Sequence, residues 1–355
     1  MEKLLMKGNE AIGTAAIKSG CKYFFGYPIT PQNEIPEFMS KELPKVGGCF
    51  IQAESEVAAV NMVYGAAGTG ARCMTSSSSP GMSLKQEGIS YLVGAELPCL
   101  IVNVMRGGPG LGGIQPSQAD YFQATRGGGN GDYYMPVFAP ATVQETVDLI
   151  EKGFDLADEY RTPVMMLIDG MTGQMMEPVR FSENENKKKV DKPWATTGTK
   201  GKRKPNIINS LYLKPEELEK HCDRLFEKYD KIKEEHCLWE ENHLDDAEIV
   251  LVAYGTTSRI TKNVMNSLRE KGKKVGMIRP ITVWPFPYKA IEELKDNVKD
   301  ILVVEMSKGQ MIEDVRLGNE GRKKVHFYGR TGGMIPTPEE IALKVEEILE
   351  KGGNK

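Results

Sequence analysis

The chain has 355 residues, of which 40% are hydrophobic and 27% are charged, and its formal net charge is −3. A chain of this length is expected to form two domains, and its mixed charges leave no broad basic field for nucleic acid. No apolar run is as long as a membrane span, and the first residues lack the features of a secretion signal. We therefore expect a cytoplasmic globular protein.

The six cysteines and four histidines do not form a recognisable metal site. No two cysteines have the spacing of zinc or iron–sulfur ligands, and Cys99 lies in an apolar run typical of a buried thiol. His221, His236 and His243 fall in a charged helical region, where we expect them at the surface. The sequence thus predicts no metal, no cluster and no structural disulfide on this chain.

A helix is predicted over residues 5–19, followed by a short aromatic strand over residues 22–25. This strand leads into YPITP, residues 27–31, which two prolines hold in an extended conformation. Loops at the carboxyl ends of strands are where α/β proteins place ligand groups. The alternative is an ordinary helix start with Thr30 as the N-cap. Both can hold, so we expect Thr30 to cap a helix and also to present its hydroxyl to a ligand.

The segment IQAESEVAAVNMVYG, residues 51–65, contains Glu54 and Glu56, followed by small apolar residues at helical spacing. Glu56 is therefore predicted near the start of a closely packed helix. An acid in a first helical turn usually does no more than complement the helix dipole and cap free amides. That alternative stays open unless the neighbouring segments make a ligand site.

Two more strands are predicted, over residues 72–75 and 98–105. The first ends in a polar turn that contains Ser79. The second ends at Arg106, whose planar guanidinium suits a carboxylate, although a surface charge is the alternative. Strand, loop and helix recur three times, which predicts a parallel sheet with helices on both faces. The ligand-like loops then fall on one edge of this sheet.

The glycine-rich residues 107–113 do not match a dinucleotide or phosphate-loop motif. We interpret them as a mobile loop over a site, and a second glycine cluster at residues 127–131 supports this interpretation. Residues 137–170 add a strand, a helix and a strand. Asp169, at the end of this segment, lacks the glycine and asparagine partners of a magnesium–diphosphate motif, so we predict a turn there.

The composition becomes polar and basic after residue 182. Residues 183–246 are predicted to be a linker and a charged helical arm with Leu218, Leu225 and Tyr229 on one stripe. We favour a solvated arm over a partner-binding role for its lysine runs. Residues 247–355 are predicted to be a second α/β domain, with Thr337 capping the last helix. No catalytic pair is evident in it, so we expect a packing or assembly role.

Together these motifs resemble the alpha-type subunit of the 2-oxoacid:ferredoxin oxidoreductases. The resemblance covers nearly the whole chain and is carried by YPITP, AESEVAAVNMVYGAA, NVMRGGPG, IQPSQADYF, GGGNGDY and MEPV. MTSSSSPGMSLKQEGISYL with RGGPGLGGIQPSQADYFQA is most similar to the branched-chain member, which acts on 2-oxoisovalerate, and the 2-oxoglutarate enzyme is the close alternative. A non-catalytic subunit is a further alternative. A self-sufficient transketolase-like enzyme would need a diphosphate motif that we do not find.

The resemblance implies a pyrimidine-type thiamine diphosphate-binding domain over residues 1–182, followed by a transketolase C-terminal-like α/β domain. It implies that Glu56, rather than Glu54, bonds the aminopyrimidine ring nitrogen and activates the cofactor by sharing its proton. It assigns Thr30 and Arg106 to the substrate. The residues that it places around the cofactor are Tyr27, Pro28, Ile29, Thr30, Glu56 and Ser79.

The resemblance also implies a hetero-oligomer of anaerobic metabolism that decarboxylates a 2-oxoacid to acyl-CoA and CO2 and passes electrons to ferredoxin. Thiamine diphosphate would be shared with a partner subunit that supplies the diphosphate and Mg²⁺ site. A ferredoxin-like subunit would carry the 4Fe–4S clusters, and a gamma-type subunit would complete the complex. The remaining reactants are coenzyme A and the 2-oxoacid, with no nucleic acid or membrane as a partner.

Overall fold

The computed structural model describes residues 3–182 and 190–353. Its strands are β1 Leu4–Lys7, β2 Tyr23–Gly26, β3 Cys49–Gln52, β4 Cys73–Ser77, β5 Cys99–Met105, β6 Val137–Phe138, β7 Pro163–Asp169, β8 Met176–Val179, β9 Trp239–Asn242, β10 Ile249–Val252, β11 Val275–Pro280, β12 Thr282–Trp284, β13 Asp300–Glu305 and β14 Lys324–Gly329. Its α-helices are α1 Gly8–Lys18, α2 Glu34–Glu42, α3 Glu56–Gly68, α4 Ser79–Gly94, α5 Tyr121–Arg126, α6 Val143–Tyr160, α7 Gly170–Gln174, α8 Pro215–His236, α9 Gly255–Glu270, α10 Tyr288–Glu292, α11 Met311–Asn319 and α12 Pro338–Gly353.

The larger sheet has the strand order β12-β6-β7-β5-β4-β2-β3, and its strands are parallel apart from β12. Its central strands β5 and β7 are buried along their whole length, as expected for continuous apolar runs covered on both faces. Helices α3 and α4 cover one face, and α1 and α6 cover the other. Because the central strands run parallel, the loops after β2, β3, β4 and β5 all leave from one edge.

The second sheet has the order β14-β13-β10-β11-β9, with β9 as an antiparallel edge strand. Its edge strand β9 comes from the segment that the sequence predicted as an arm. Conversely, β12, which follows β11 of the second sheet in the chain, pairs with β6 at the edge of the larger sheet. The two α/β units are therefore joined by exchanged edge strands as well as by packing.

The first predicted helix begins later than expected. The predicted helix at residues 5–19 is wrong at its start, because residues 4–7 form β1 and pair antiparallel with β8. Helix α1 begins at Gly8, where a Cβ would lie 2.0 Å from the backbone oxygen of Thr172. This pairing joins segments about 170 residues apart, so the local apolar pattern could not reveal it.

The predicted arm is not a solvated helix. Helix α8 buries His221, Leu225, Tyr229 and Ile232 against the first unit, and the His221 ring lies 2.8 Å from the carbonyl of Gly94. The surface position expected for His221 is therefore wrong. Leu218 is 43% exposed because the first turn and a half of α8 remains in solvent. The lysine run at residues 187–189 lies outside the described residues.

None of the helices in the described part of the chain is both long and apolar enough to cross a bilayer.

Candidate active site

The loops at the carboxyl edge of the larger sheet bring four of the predicted residues close together. Arg106 follows β5, and its Nη1 donates to the carbonyl oxygen of Thr30, 3.0 Å away, in the loop after β2. The backbone N–H of Arg106 donates to Ser79 Oγ, also at 3.0 Å, at the start of α4. Glu56 begins α3, beside the same turn of α4.

Glu56 has the surroundings of a ligand-binding carboxylate rather than of a helix cap. Ser55 is the N-cap of α3, and its hydroxyl accepts the N–H of Ala58 at 3.2 Å, so the capping alternative is already filled. Glu56 is only 6% exposed, and no hydrogen bond or ion pair among the described residues reaches its carboxylate. Glu54 is exposed instead. The Glu56 oxygens are not completely enclosed, so a donor group can still reach this carboxylate.

The space beside Glu56 depends on a glycine. A Cβ at Gly81 would lie 2.5 Å from Glu56 Oε1 and 2.0 Å from Ser77 Oγ. Any other residue there would therefore displace the carboxylate or the serine. The hydroxyls of Ser77 and Ser78 are also buried, and no described residue forms a hydrogen bond with either of them. Several unsatisfied polar groups thus border one small region.

A buried lysine, which the sequence analysis did not identify, lies below this region. Lys85 of α4 has no exposed surface, and its Nζ donates to Thr75 Oγ1 at 2.5 Å and to the carbonyl of Ser76 at 3.3 Å. Burial lowers the pKa of Lys85 to about 7, while the charge of Glu56 acts to raise it. In the sequence Lys85 looks like a surface residue of an amphipathic helix, and only tertiary packing reveals its burial.

The YPITP loop is held by side chains that follow it. Gln32 Nε2 donates to the carbonyl of Tyr27 at 3.1 Å, and Ser76 Oγ donates to Gln32 Oε1 at 2.5 Å. Helix α2 begins at Glu34, so the prediction that Thr30 caps it is wrong. A turn separates Thr30 from the helix, and the Thr30 hydroxyl accepts the Asn33 amide at 3.1 Å.

Two side chains of this loop are turned to solvent and two are half-buried. Tyr27 and Pro28 are exposed, whereas Ile29 and Thr30 are half-buried. The O–H of Thr30 remains able to donate to another group, because its oxygen is the acceptor in the contact with Asn33.

Arg106 is buried, so the alternative of a surface charge is wrong. Besides its bond to Thr30, its Nη2 donates to the carbonyl of Leu111 at 3.0 Å, and its Nε is buried without an acceptor. The glycine-rich loop folds back on itself, since Gly107 N–H donates to the carbonyl of Gln115 at 3.0 Å. Arg106 thus joins this loop to the YPITP loop and keeps one N–H unused.

Ser79 lies at the centre of a polar cluster. Its hydroxyl donates to Asp120 Oδ2 at 2.6 Å, and Asn103 Nδ2 donates to the same oxygen at 2.9 Å. Burial raises the pKa of Asp120, while these two hydrogen bonds oppose the rise. The Ser79 hydroxyl therefore positions the start of α4 against the end of β5, and its predicted contact with a cofactor stays a prediction.

A cleft of about 780 Å³ opens between the start of α4, the glycine-rich loop and the second unit. Of the predicted site residues, Ser79 lines this cleft, whereas Glu56, Thr30 and Arg106 do not. The second unit contributes to the cleft, which the sequence did not predict. The second glycine cluster lies elsewhere than expected, against the middle of α4. A Cβ at Gly129 would lie 2.4 Å from the carbonyl of Gln86. The residues that line the cleft include Ser79, Pro80, Gly108, Pro109, Asp120, Ser307, Lys308, Gln310 and Thr331.

The described residues bring together no three His, Cys, Asp or Glu side chains that could hold a metal ion. The six cysteines are free thiols. Asp169, which we predicted in a turn, is instead the N-cap of α7, and its Oδ1 accepts the N–H groups of Met171 and Thr172 at 2.9 and 3.2 Å. The aspartate that ends β7 is thus used for capping.

The arrangement suits a planar ring that offers an N–H group. Glu56 supplies an unpartnered buried acceptor, and Gly81 leaves room beside it. The unpartnered hydroxyls of Ser77 and Ser78 can bond further polar atoms. These features fit the aminopyrimidine of thiamine diphosphate, whose reactivity requires a carboxyl at one ring nitrogen.

Two family models match the chain consecutively. Residues 14–242 match "pyruvate flavodoxin/ferredoxin oxidoreductase, thiamine diP-bdg", and residues 247–341 match "pyruvate:ferredoxin oxidoreductase core domain II". Together they account for most of the sequence and place a thiamine diphosphate-binding domain first.

Individual relatives agree with these matches. The ketoisovalerate oxidoreductase subunit VorB of Methanothermobacter marburgensis is 49% identical over 98% of both chains. The 2-oxoglutarate synthase subunit KorA of Methanocaldococcus jannaschii is 39% identical over 97% of this chain and 100% of its own.

A solved structure is also similar. The 2-oxoglutarate:ferredoxin oxidoreductase from Magnetococcus marinus, with 2-oxoglutarate, coenzyme A and succinyl-CoA bound, matches with a TM-score of 0.86 and 27% identity. The match covers 98% of this chain and 65% of that longer one. The α/β fold class and the family that the sequence motifs implied are confirmed. This chain belongs to the 2-oxoacid:ferredoxin oxidoreductases, as a subunit of an oxidoreductase that works as a multi-subunit complex.

Proposed function

We propose that this subunit binds the pyrimidine side of thiamine diphosphate in a complex that oxidatively decarboxylates 2-oxoisovalerate. The products are acyl-CoA and CO2, and ferredoxin receives the electrons. The observation that supports the substrate is the 49% identity to a ketoisovalerate oxidoreductase subunit, against 39% to a 2-oxoglutarate synthase subunit. 2-Oxoglutarate is the second candidate.

Glu56 is the residue that this proposal places at the ring nitrogen. Its carboxylate is buried, unpartnered and next to a glycine, so it accepts an N–H group without first losing another hydrogen bond. Thiamine diphosphate, when bound, supplies the nucleophilic carbon and the electron sink for decarboxylation. Glu56 shares a proton with the ring and so sets the protonation state on which that chemistry depends.

Arg106 and Thr30 are placed at the substrate. The Arg106 guanidinium carries one buried N–H without an acceptor, and a 2-oxoacid carboxylate is a suitable acceptor for it. Its bond to the carbonyl of Thr30 fixes the loop that presents the Thr30 hydroxyl. Tyr27, Pro28 and Ile29 of the same loop, and Ser79 across the edge, line the cofactor in this proposal.

The proposal assigns the remaining groups to other chains. A partner subunit holds the diphosphate and Mg²⁺, a ferredoxin-like subunit holds the 4Fe–4S clusters, and a gamma-type subunit completes the complex. Support comes from the sequence, which has neither the diphosphate motif nor paired cysteine motifs. We place the complex in the cytoplasm of an organism with an anaerobic metabolism.

The substrate is tested with the purified complex by following viologen reduction with 2-oxoisovalerate, 2-oxoglutarate and pyruvate in the presence of coenzyme A. We expect kcat/KM for 2-oxoisovalerate to exceed the other two values by roughly tenfold or more, because hydrophobic pockets discriminate by about that factor per methylene. A complex carrying Glu56→Gln, prepared in the same way, measures the background reduction.

Preference for 2-oxoglutarate would replace our substrate with the second candidate. Absence of turnover with all three acids, in a complex that contains every subunit and cofactor, would contradict the proposed function itself.

A further inference from the structure

Helices α3 and α4 pack with a matched pair of contacts. Gly81 of α4 lies against Glu56, and Gly88 lies against Val60, whose Cγ1 would be 2.4 Å from a Cβ at that glycine. Glu56 and Val60 are one turn apart on α3, and the two glycines are two turns apart on α4. Lys85 follows Gly81 by four residues, so it lies on the same face of α4, between the two contacts.

The charged end of Lys85 has an unusual environment. The side chain is fully buried, where an aliphatic residue could fill similar space at lower cost. Its Nζ bonds only to neutral oxygens, those of Thr75 and Ser76 at the end of β4. Thr75 Oγ1 in turn donates to the carbonyl of Phe25 at 2.6 Å, so it is free to accept from the lysine.

The groups that face Lys85 from the surrounding elements are few. Thr75 and Ser76 of β4 do not titrate, and burial raises the pKa of Cys99 on β5 to about 12, so its thiol is neutral. Glu56 of α3 is the one carboxylate among the described residues whose charge acts on the lysine. Neither Lys85 nor Glu56 forms an ion pair with a described residue, so the two interact through space across the contact between α3 and α4.

We propose that Lys85 is a positioning residue for Glu56: its buried ammonium group is the counter-charge that faces the Glu56 carboxylate across the contact between α3 and α4 and holds it in place. This inference rests on the proposed function only for its effect on turnover. Without a nearby positive charge, a buried carboxylate that lacks hydrogen bonds takes up a proton. Lys85 supplies such a charge without occupying the hydrogen-bonding positions of the Glu56 carboxylate.

The coupling predicts a pH dependence of stability. The pKa of Lys85 is lowered to about 7 in the fold, so between about pH 7 and the ordinary value near 10 the unfolded chain binds more protons than the folded one. The contribution of this group to stability therefore rises with pH across that window. Removing the Glu56 charge lowers the pKa of Lys85 further and moves the start of the rise to lower pH.

The pH at which stability begins to rise is measured by thermal unfolding of the assembled, cofactor-free complex from about pH 5 to pH 10. Wild type is compared with Glu56→Gln, a nearly isosteric change, and with Glu54→Gln as the exposed control. We expect the rise to begin at lower pH in Glu56→Gln only. An identical onset in all three proteins would overturn the coupling, whatever substrate the complex uses.

A second measurement uses turnover and changes at the lysine itself. In Lys85→Met the acid limb of kcat/KM against pH should move to higher pH, because a carboxylate that loses a nearby positive charge is harder to keep ionised. Lys85→Arg, which keeps the charge, should restore the wild-type limb. A uniform loss of activity with an unmoved limb would assign Lys85 to structural support alone. Inactivity of the wild type on every 2-oxoacid would instead contradict the proposed function and leave the unfolding result valid.

Discussion

Two buried glutamates lie at the carboxyl edges of the two main sheets, and their surroundings are opposite. Glu56, after β3, has no hydrogen-bond donor among the described residues. Glu305 ends β13, is fully buried, and accepts the hydroxyl of Ser307 at 2.9 Å. It also accepts the backbone N–H groups of residues 310, 311 and 312 at 3.0 to 3.1 Å.

The difference separates a structural acid from a binding acid. The fold supplies Glu305 with all the donors that it needs, so this carboxylate orders the start of α11 and has no need of a ligand. The fold surrounds Glu56 with a glycine and unused hydroxyls, and the charge that it supplies, that of Lys85, acts without a hydrogen bond to the carboxylate among the described residues. Buried glutamates at similar positions in the two α/β units therefore differ in role: Glu305 stabilises its unit, and Glu56 marks the candidate site.

The largest effect is expected for Glu56→Gln in the assembled complex. Glutamine keeps the shape but cannot exchange a proton with a ring nitrogen, so kcat should fall by roughly 10²–10⁴-fold, the usual contribution of acid–base catalysis. The exposed Glu54→Gln should retain wild-type turnover. Viologen reduction under saturating 2-oxoisovalerate gives both rates, and size-exclusion chromatography shows whether the complexes assemble. Retained turnover in Glu56→Gln would remove this residue from the mechanism.

Glu305→Ala should act on stability instead. It leaves three backbone N–H groups and one hydroxyl without their acceptor, so the free energy of unfolding should fall by about 3 kcal/mol. Burial raises the pKa of Glu305, so its contribution declines as pH rises through that pKa, and the loss should be largest in mildly acidic solution.

The measurement is denaturant unfolding at several pH values, with Glu313→Ala as the exposed control on the same helix. The control should change stability by less than about 0.5 kcal/mol. Loss of turnover in folded Glu305→Ala complexes would show that this edge is also catalytic.

Local patterns were sufficient for much of the fold. Continuous apolar runs gave β5 and β7, and small apolar residues at helical spacing gave the start of α3 near Glu56. The strand-to-loop order placed Thr30, Glu56, Ser79 and Arg106 on one edge, and the contacts between Arg106, Thr30 and Ser79 bear out that convergence.

The features that the sequence missed depend on distant partners. Strand β1 forms only because β8 is available, and β12 crosses to the other sheet. His221 and Lys85 carry polar groups that a periodicity argument assigns to solvent, yet each is buried with hydrogen-bond partners from other elements. A burial pattern alone cannot distinguish a solvated charge from one that tertiary structure has paired.

The two units also differ in a buried arginine, and Arg106→Lys tests whether the incompletely paired arginine of the first unit binds substrate. Arg279, in the second unit, bonds Glu145 and Glu240 through all three nitrogens, whereas Arg106 has a free Nε–H. We expect KM for the 2-oxoacid to rise by roughly 10–100-fold in Arg106→Lys, since lysine cannot reproduce the planar fork. Arg279→Lys should lower the thermal midpoint with KM unchanged. An unchanged KM in Arg106→Lys would assign this arginine to loop support only.

The smallest effect is expected for Gly81→Ala. The new Cβ would lie close to side-chain atoms, Ser77 Oγ and Oε1 and Cγ of Glu56, which can move at less cost in stability than backbone. Turnover should fall by about tenfold, because a small displacement of an acid–base group weakens its hydrogen bond to the ring.

The matched change in the second unit is Gly329→Ala, whose Cβ would lie 2.4 Å from the backbone oxygen of Ser307. Backbone yields less readily, so this change should cost about 1–3 kcal/mol of stability and leave turnover per folded complex intact. If Gly81→Ala instead lost stability and kept its rate, the glycine would serve helix packing, and the space beside Glu56 would not be a ligand site.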